Sequence, residues 1–163
     1  MTSLSIEKLD WAIERRDGKR ESRQLLHGID LRVRQGEFTG LIGPNGSGKT
    51  SLLRCAYRST RPDQGCVRLG QQDLWKSSPR WCAQRIAVVL QEFPDEFGLS
   101  VAQVVAMGLT PHKGPFDSDT ADDRQKVMRA IEQVGLGGCA GQGFATLSGG
   151  EKQRVLLDRK SVV

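Results

Sequence analysis

The eight residues Gly43-Pro44-Asn45-Gly46-Ser47-Gly48-Lys49-Thr50 constrain this chain more than any other segment. They fit G-x-x-x-x-G-K-[ST], a loop that cradles phosphate between a strand and a helix. Their setting agrees. The apolar run Phe38 to Ile42 precedes them and reads as a short buried strand, and a helix is expected from about Lys49 to Arg58. Glycine lets backbone amides close around phosphate oxygens where side chains would collide. Successive N–H groups and the positive end of a helix then hold the anion. In such a loop Lys49 reaches the β- and γ-phosphates and the Thr50 hydroxyl binds Mg²⁺. A chance glycine-rich turn would need neither the Lys-Thr pair nor a strand and helix on its two sides.

A chain of 163 residues has room for one such domain. It can bury a core without disulfide staples. Hydrophobic residues make up 37%, with several dense apolar runs, which argues against a disordered chain. No run approaches the ~18–20 apolar residues of a membrane span. Met1 to Asp10 has no apolar centre of a secretory signal. Cys55, Cys66, Cys82 and Cys139 are too far apart for a zinc knuckle or redox pair. Free, mostly buried thiols in a reducing cytoplasm are expected. His27 and His112 stand apart, without a ligand cluster around either.

The net charge of +5 invites a nucleic-acid or anionic-lipid hypothesis. The densest basic patch is Arg15, Arg16, Lys19, Arg20 and Arg23. Asp17 and Glu21 interrupt it and no aromatic is interleaved, so it reads as a solvated hairpin and no nucleic-acid partner is expected.

Leu4 to Ile13 and Leu25 to Val33 read as paired strands around that hairpin. Pro62-Asp63-Gln64-Gly65 turns into a strand over Cys66 to Leu69. Ser78-Pro79 opens a helix to about Gln84. Ile86 to Leu90 is a second buried-strand candidate. Ser100 to Gln103 has a capping-box pattern, followed by Val104, Val105 and Met107, with Gly108 as a stop. Thr120 caps a helix with Asp122 and Asp123 in its first turn. Val127, Ile131 and Val134 give that helix one apolar face. Strands first and helices later suggest an α/β core with a helical insertion.

Leu147-Ser148-Gly149-Gly150-Glu151-Lys152-Gln153-Arg154 is a second anion-site pattern, a serine hydroxyl and two glycine amides at a helix start. Lys49 and Ser148 lie 99 positions apart. In this order the two motifs resemble the P-loop and the signature motif of ATP-binding cassette (ABC) ATPases, over about residues 4 to 157. The resemblance implies an α/β fold: a P-loop NTPase (RecA-like) core with an N-terminal antiparallel β subdomain and a helical insertion, incomplete at the C-terminus. It implies one partial ABC ATPase domain over 1–163. The P-loop lies at 43–50, the Q-loop at about 91, the helical subdomain at about 98–146 and the signature at 147–154.

ATP and Mg are the implied cofactors. Gly43, Pro44, Asn45, Gly46, Ser47, Gly48, Lys49 and Thr50 would bind the ATP phosphates. Ser148, Gly149 and Gly150 would bind the ATP of a partner subunit. Lys49 and Gln91 are the implied catalytic residues, with Thr50 and Gln91 on Mg. Trp11 is the nearby aromatic for adenine stacking, although its register is blurred by the Arg15–Arg23 insertion and plain packing is its other reading. The implied partners are a second copy or paired ATPase subunit, a membrane permease and, indirectly, a substrate-binding protein. The implied location is cytoplasmic, peripheral on the inner face of the cell membrane.

No heptads separate Lys49 from Ser148, which excludes the coiled-coil DNA-repair branch. Met107-Gly108-Leu109-Thr110-Pro111-His112, Pro115-Phe116 and the helix to Leu136 look like the helical subdomain of iron-siderophore, haem and cobalamin importers. The family's Walker B strand and catalytic glutamate are not found after Arg154. Val155-Leu156-Leu157-Asp158 only mimics them, since it continues the signature helix and Arg159 stands in the glutamate's place. A frameshift, premature stop or misassigned gene end is the expected cause, and the chain as written is expected not to hydrolyse ATP. Without the following strands, 38–42 and 86–90 would become exposed apolar edges. The expected function is the ATP-binding subunit of an importer. The alternatives are a non-catalytic nucleotide-binding fragment or pseudogene product, and a soluble non-transport ABC ATPase.

Overall fold

Two long strands, β1 (Leu4–Glu14) and β2 (Ser22–Val33), pair antiparallel and start the fold. The computed structural model describes residues 3–14, 22–89, 98–114 and 116–158. It divides into two units, Met1–Cys82 and Ala83–Val163. Of the charged hairpin loop expected between Ile13 and Leu25, residues 15–21 lie outside the described residues, and Ser22 to Gln24 belong to β2, with Arg23 paired to Ile13.

In the first unit β3 (Gln64–Leu69) adds to the other edge of β1 and β4 (Gln72–Asp73) follows, giving the sheet order β2-β1-β3-β4, antiparallel throughout. Ile6, Leu9, Leu26 and Val67 are buried by the sheet, and Leu52 and Cys55 by helix α1 (Lys49–Ala56). β1 is not a regular ribbon. Its register shifts between Ile6 and Leu9, between Leu9 and Trp11, and again before Ala12. Lys8 sits at φ 47, in the left-handed region, and its N–H donates to Asp30 Oδ1 at 2.9 Å. Gly65 crosses this irregularity at φ +80, and a Cβ there would lie 2.4 Å from the carbonyl oxygens of both Glu7 and Lys8. Helix α2 (Pro79–Ala83) begins with proline at its first position, and Ser78 Oγ accepts from the Trp81 N–H.

Two expected strands are absent. Residues 38–42 are irregular, without strand pairing, with Phe38 98% and Ile42 93% exposed. Residues 86–89 are likewise irregular, and Leu90 lies outside the described residues. A run that is apolar on both faces becomes a strand only when neighbours cover it and accept its amides. Among the described residues neither run pairs with a strand; 38–42 is exposed, whereas Ile86 and Val88 are half-buried. The helix expected to reach Arg58 ends at Ala56, and Arg58 itself is left-handed at φ 66.

The second unit is helical. Helix α3 (Val101–Ala106) starts from a complete capping box, in which Ser100 Oγ accepts from Gln103 N–H and Gln103 Oε1 accepts from Ser100 N–H. Gly108 does not stop the chain's coiling. A 3-10 helix runs on through it, Met107–His112, because tightening the last turn keeps Leu109 in the core. Helix α4 (Ala121–Gln133) has a second capping box, Thr120 with Asp123. It ends in a Schellman motif: Leu136 N–H donates to Ile131 O and Gly135 N–H to Glu132 O, with Gly135 at φ 73. Val101, Val104, Val105, Val127, Ile131, Phe144 and Val155 pack into one core, with Val134 partly buried against it. The four cysteines are free thiols, two of them buried.

The Asp123 carboxyl is held well below the usual carboxylate range, first by the Lys113 ammonium and then by the Thr120 backbone and hydroxyl donors. A depressed folded-state pKa adds stability above the ordinary value of 3.8, which is lost as pH falls through the folded value. Acidification from pH 6 to 2 is therefore expected to destabilise the wild type more than Asp123→Asn. Thermal melts across that range check this, and equal losses in the two proteins would count against it.

Candidate functional site

The loop at 43–50 uses its glycines as backbone. Gly43, Gly46 and Gly48 adopt φ 155, 80 and 87. A Cβ on Gly48 would lie 2.9 Å from Leu26 Cδ2 and 3.3 Å from Leu25 O, so the loop closes directly onto β2. A Cβ on Gly43 would lie 3.0 Å from Ser47 Oγ. Lys49 folds back into the loop, and its Nζ donates to Gly43 O and Pro44 O, each at 2.7 Å. Gly48 is the N-cap of α1 and offers no side-chain cap, and no acid stands in the first turn. The first amides of α1 and its positive end therefore have no anionic side chain of their own. Thr50 is exposed beside them. These features fit a phosphate and its cation: a Cβ-free cradle, a lysine held at its rim, an uncapped helix start and one hydroxyl.

Trp11 is half-buried on the irregular part of β1, opposite Leu26, the residue that touches Gly48. Gln91 lies outside the described residues.

The second motif is built on helix α5 (Gly149–Asp158). Leu147 is buried, while Ser148, Gly149 and Gly150 are exposed. The turn before them is laced to the start of α3: Val101 N–H donates to Gln142 O, Ala102 N–H to Ala140 O, and Phe144 N–H to Leu99 O. Ser148 and Glu151 form a third capping box. Ser148 donates its N–H (2.8 Å) and its hydroxyl (2.6 Å) to Glu151 Oε2, and Glu151 N–H donates to Ser148 Oγ at 3.4 Å. Those contacts hold the Glu151 carboxyl below its ordinary value. Sequence reasoning passed over Glu151, although Ser-x-x-Glu is readable as a capping box. It also passed over Arg154, whose Nη1 donates to Val134 O at the C-cap of α4, at 3.1 Å. Val155 to Asp158 continue α5, as the sequence reading of this segment required.

Comparison with known proteins gives the same picture. The chain is 42% identical over 135 residues to a hemin import ATP-binding protein of Rhodopseudomonas palustris, covering 83% of this chain and 49% of that one. It is 38% identical over 136 residues to a cobalamin import ATP-binding protein of Halobacterium salinarum, covering 83% and 34%. It thus spans a third to a half of the length of these relatives. Among solved structures it resembles a metal-chelate type ABC transporter in an inward-facing conformation, with TM-score 0.73 and 27% identity over 99% of this chain and 57% of that one. A nucleotide-free ATP-binding cassette from an ABC transporter shares the fold, with TM-score 0.80 at 22% identity, covering 99% and 65%. The fold is that of P-loop NTPases. The sequence model described as ABC transporter matches residues 26–163, from β2 through both motifs. This chain belongs to the ABC transporter family.

Proposed function

We propose that the chain is the ATP-binding part of an importer's ATPase subunit. The observation that carries this is the loop at 43–50: left-handed glycines, an uncapped helix start, and Lys49 held on two carbonyls that a phosphate can replace. Lys49 would exchange Gly43 O and Pro44 O for phosphate oxygens. The amides at 46–50 would surround the same group, and the Thr50 hydroxyl would hold Mg²⁺, whose charge offsets that of the phosphates. Trp11 would stack on adenine, its place opposite Leu26 favouring it. Gln91 would complete the Mg²⁺ shell.

Ser148, Gly149 and Gly150 would meet the nucleotide of a second ATPase subunit. Residues 1–163 would form one partial ATPase domain with the helical segment 98–146 as its insertion. No helix among the described residues is long and apolar enough to cross a membrane. We assign the protein a peripheral place beside a permease on the cytoplasmic face, supplied by a substrate-binding protein. The hemin and cobalamin names of its relatives support a metal-chelate or cobalamin-like cargo.

Titration of the chain with Mg-ATP tests the phosphate site. Lys49→Ala removes a charge-assisted contact of about 1.5–3 kcal/mol, so affinity is expected to fall about 10- to 150-fold. Superimposable titration curves for two folded proteins would refute the assignment.

A further inference from the structure

Both phosphate-binding elements are occupied by the chain's own side chains, with opposite charge logic. At 43–50 the resident is a cation: Lys49 Nζ rests on two neutral carbonyls, and no acid stands in the first turn of α1. An incoming phosphate gains that lysine and meets no acid in the first turn of α1. At 147–154 the resident is an anion. The N–H and hydroxyl of Ser148 converge on one oxygen, Glu151 Oε2, at 2.8 and 2.6 Å.

We propose that Glu151 is a resident competitor at the signature loop, its carboxylate holding the Ser148 donors that a nucleotide phosphate has to take. This rests on the reading above of Ser148–Gly150 as a phosphate site. Two anions compete for those donors, because like charges at contact repel. The carboxylate must swing away before the phosphate is bound. Ser148 can still cap α5 then, since Glu151 N–H reaches its Oγ independently of the carboxylate. Engagement at the signature therefore requires an anion to be displaced, whereas at the P-loop a cation only exchanges its carbonyl partners for phosphate oxygens.

A capping role alone makes a different prediction. Glutamine serves a capping box as well as glutamate does. Glu151→Gln keeps an acceptor for both Ser148 donors and removes only the charge. The full chain, labelled with ¹⁵N, would be titrated with inorganic phosphate while the Ser148, Gly149 and Gly150 amides are followed. Glu151→Gln is expected to bind about fivefold to tenfold more tightly there than wild type. Glu151→Ala, which loses the box and the charge together, is expected to bind more tightly as well. Equal affinity at these amides in all three proteins would overturn the competitor and leave the loop a phosphate site. No perturbation at 148–150 in any of them would overturn the phosphate-site reading and the competitor with it.

Discussion

Alanine at position 65 is expected to unfold the first unit. Gly65 combines two requirements that no other residue type meets together. Its φ of +80 is left-handed, which costs an L-residue about 1–2 kcal/mol. Its missing Cβ is also where the Glu7 and Lys8 carbonyl oxygens sit, 2.4 Å from the atom that alanine would add. Both are backbone atoms of β1, the strand that pairs with β2 on one side and β3 on the other. Neither can yield without breaking a ladder. The neighbouring irregularity is pinned as well, because Lys8 N–H is committed to Asp30. A loss well above the backbone cost alone is expected, in the exceptional range above about 4 kcal/mol. Far-UV circular dichroism and the emission of Trp75 and Trp81 report it. A melting temperature within a few degrees of wild type would mean that β3 can slide off β1 at little cost, against the pairing described.

Phe144→Ala is expected to have an effect of similar size in the second unit. The ring is 2% exposed and sits in the core formed by α3, α4 and α5. Emptying such a site typically costs about 3–5 kcal/mol, since packed helices close only part of the cavity. The backbone adds a functional consequence. Phe144 N–H is bonded to Leu99 O, and Phe144 O accepts from Leu147 N–H one residue before the signature serine. Loosening the ring loosens the turn that presents Ser148. Hydrogen exchange at Val104, Val105 and Ile131 should quicken by several orders of magnitude while amides of β1 keep their protection. Unchanged exchange in the helices would show that Phe144 is not a keystone of this core.

Local chemistry was legible in the sequence where it closes within a few residues. Ser100 with Gln103 and Thr120 with its first-turn acids announce helix starts that involve nothing distant, and both starts are where they were expected. The glycines and lysine of 43–50 are legible for the same reason. The runs at 38–42 and 86–89 were not, because an apolar stretch states that it needs cover but not whether cover is at hand. Lys8 at φ 47 carries no signal either, since its conformation comes from the crossing of Gly65 and the pull of Asp30. Glu151 was visible as part of a motif. Its contact with Ser148 follows from the Ser-x-x-Glu spacing.

Arg154 gives the signature helix a mechanical meaning. Ser148, at the exposed end, and Arg154 are six residues apart on one rod, about 9 Å of helix. The Arg154 guanidinium grips Val134 O, the point where α4 stops. A tilt imposed at the serine end would thus be felt, through a stiff lever, its core packing and this bond, at the tail of α4. Arg154→Met would leave the lever and its core packing intact and remove only this bond.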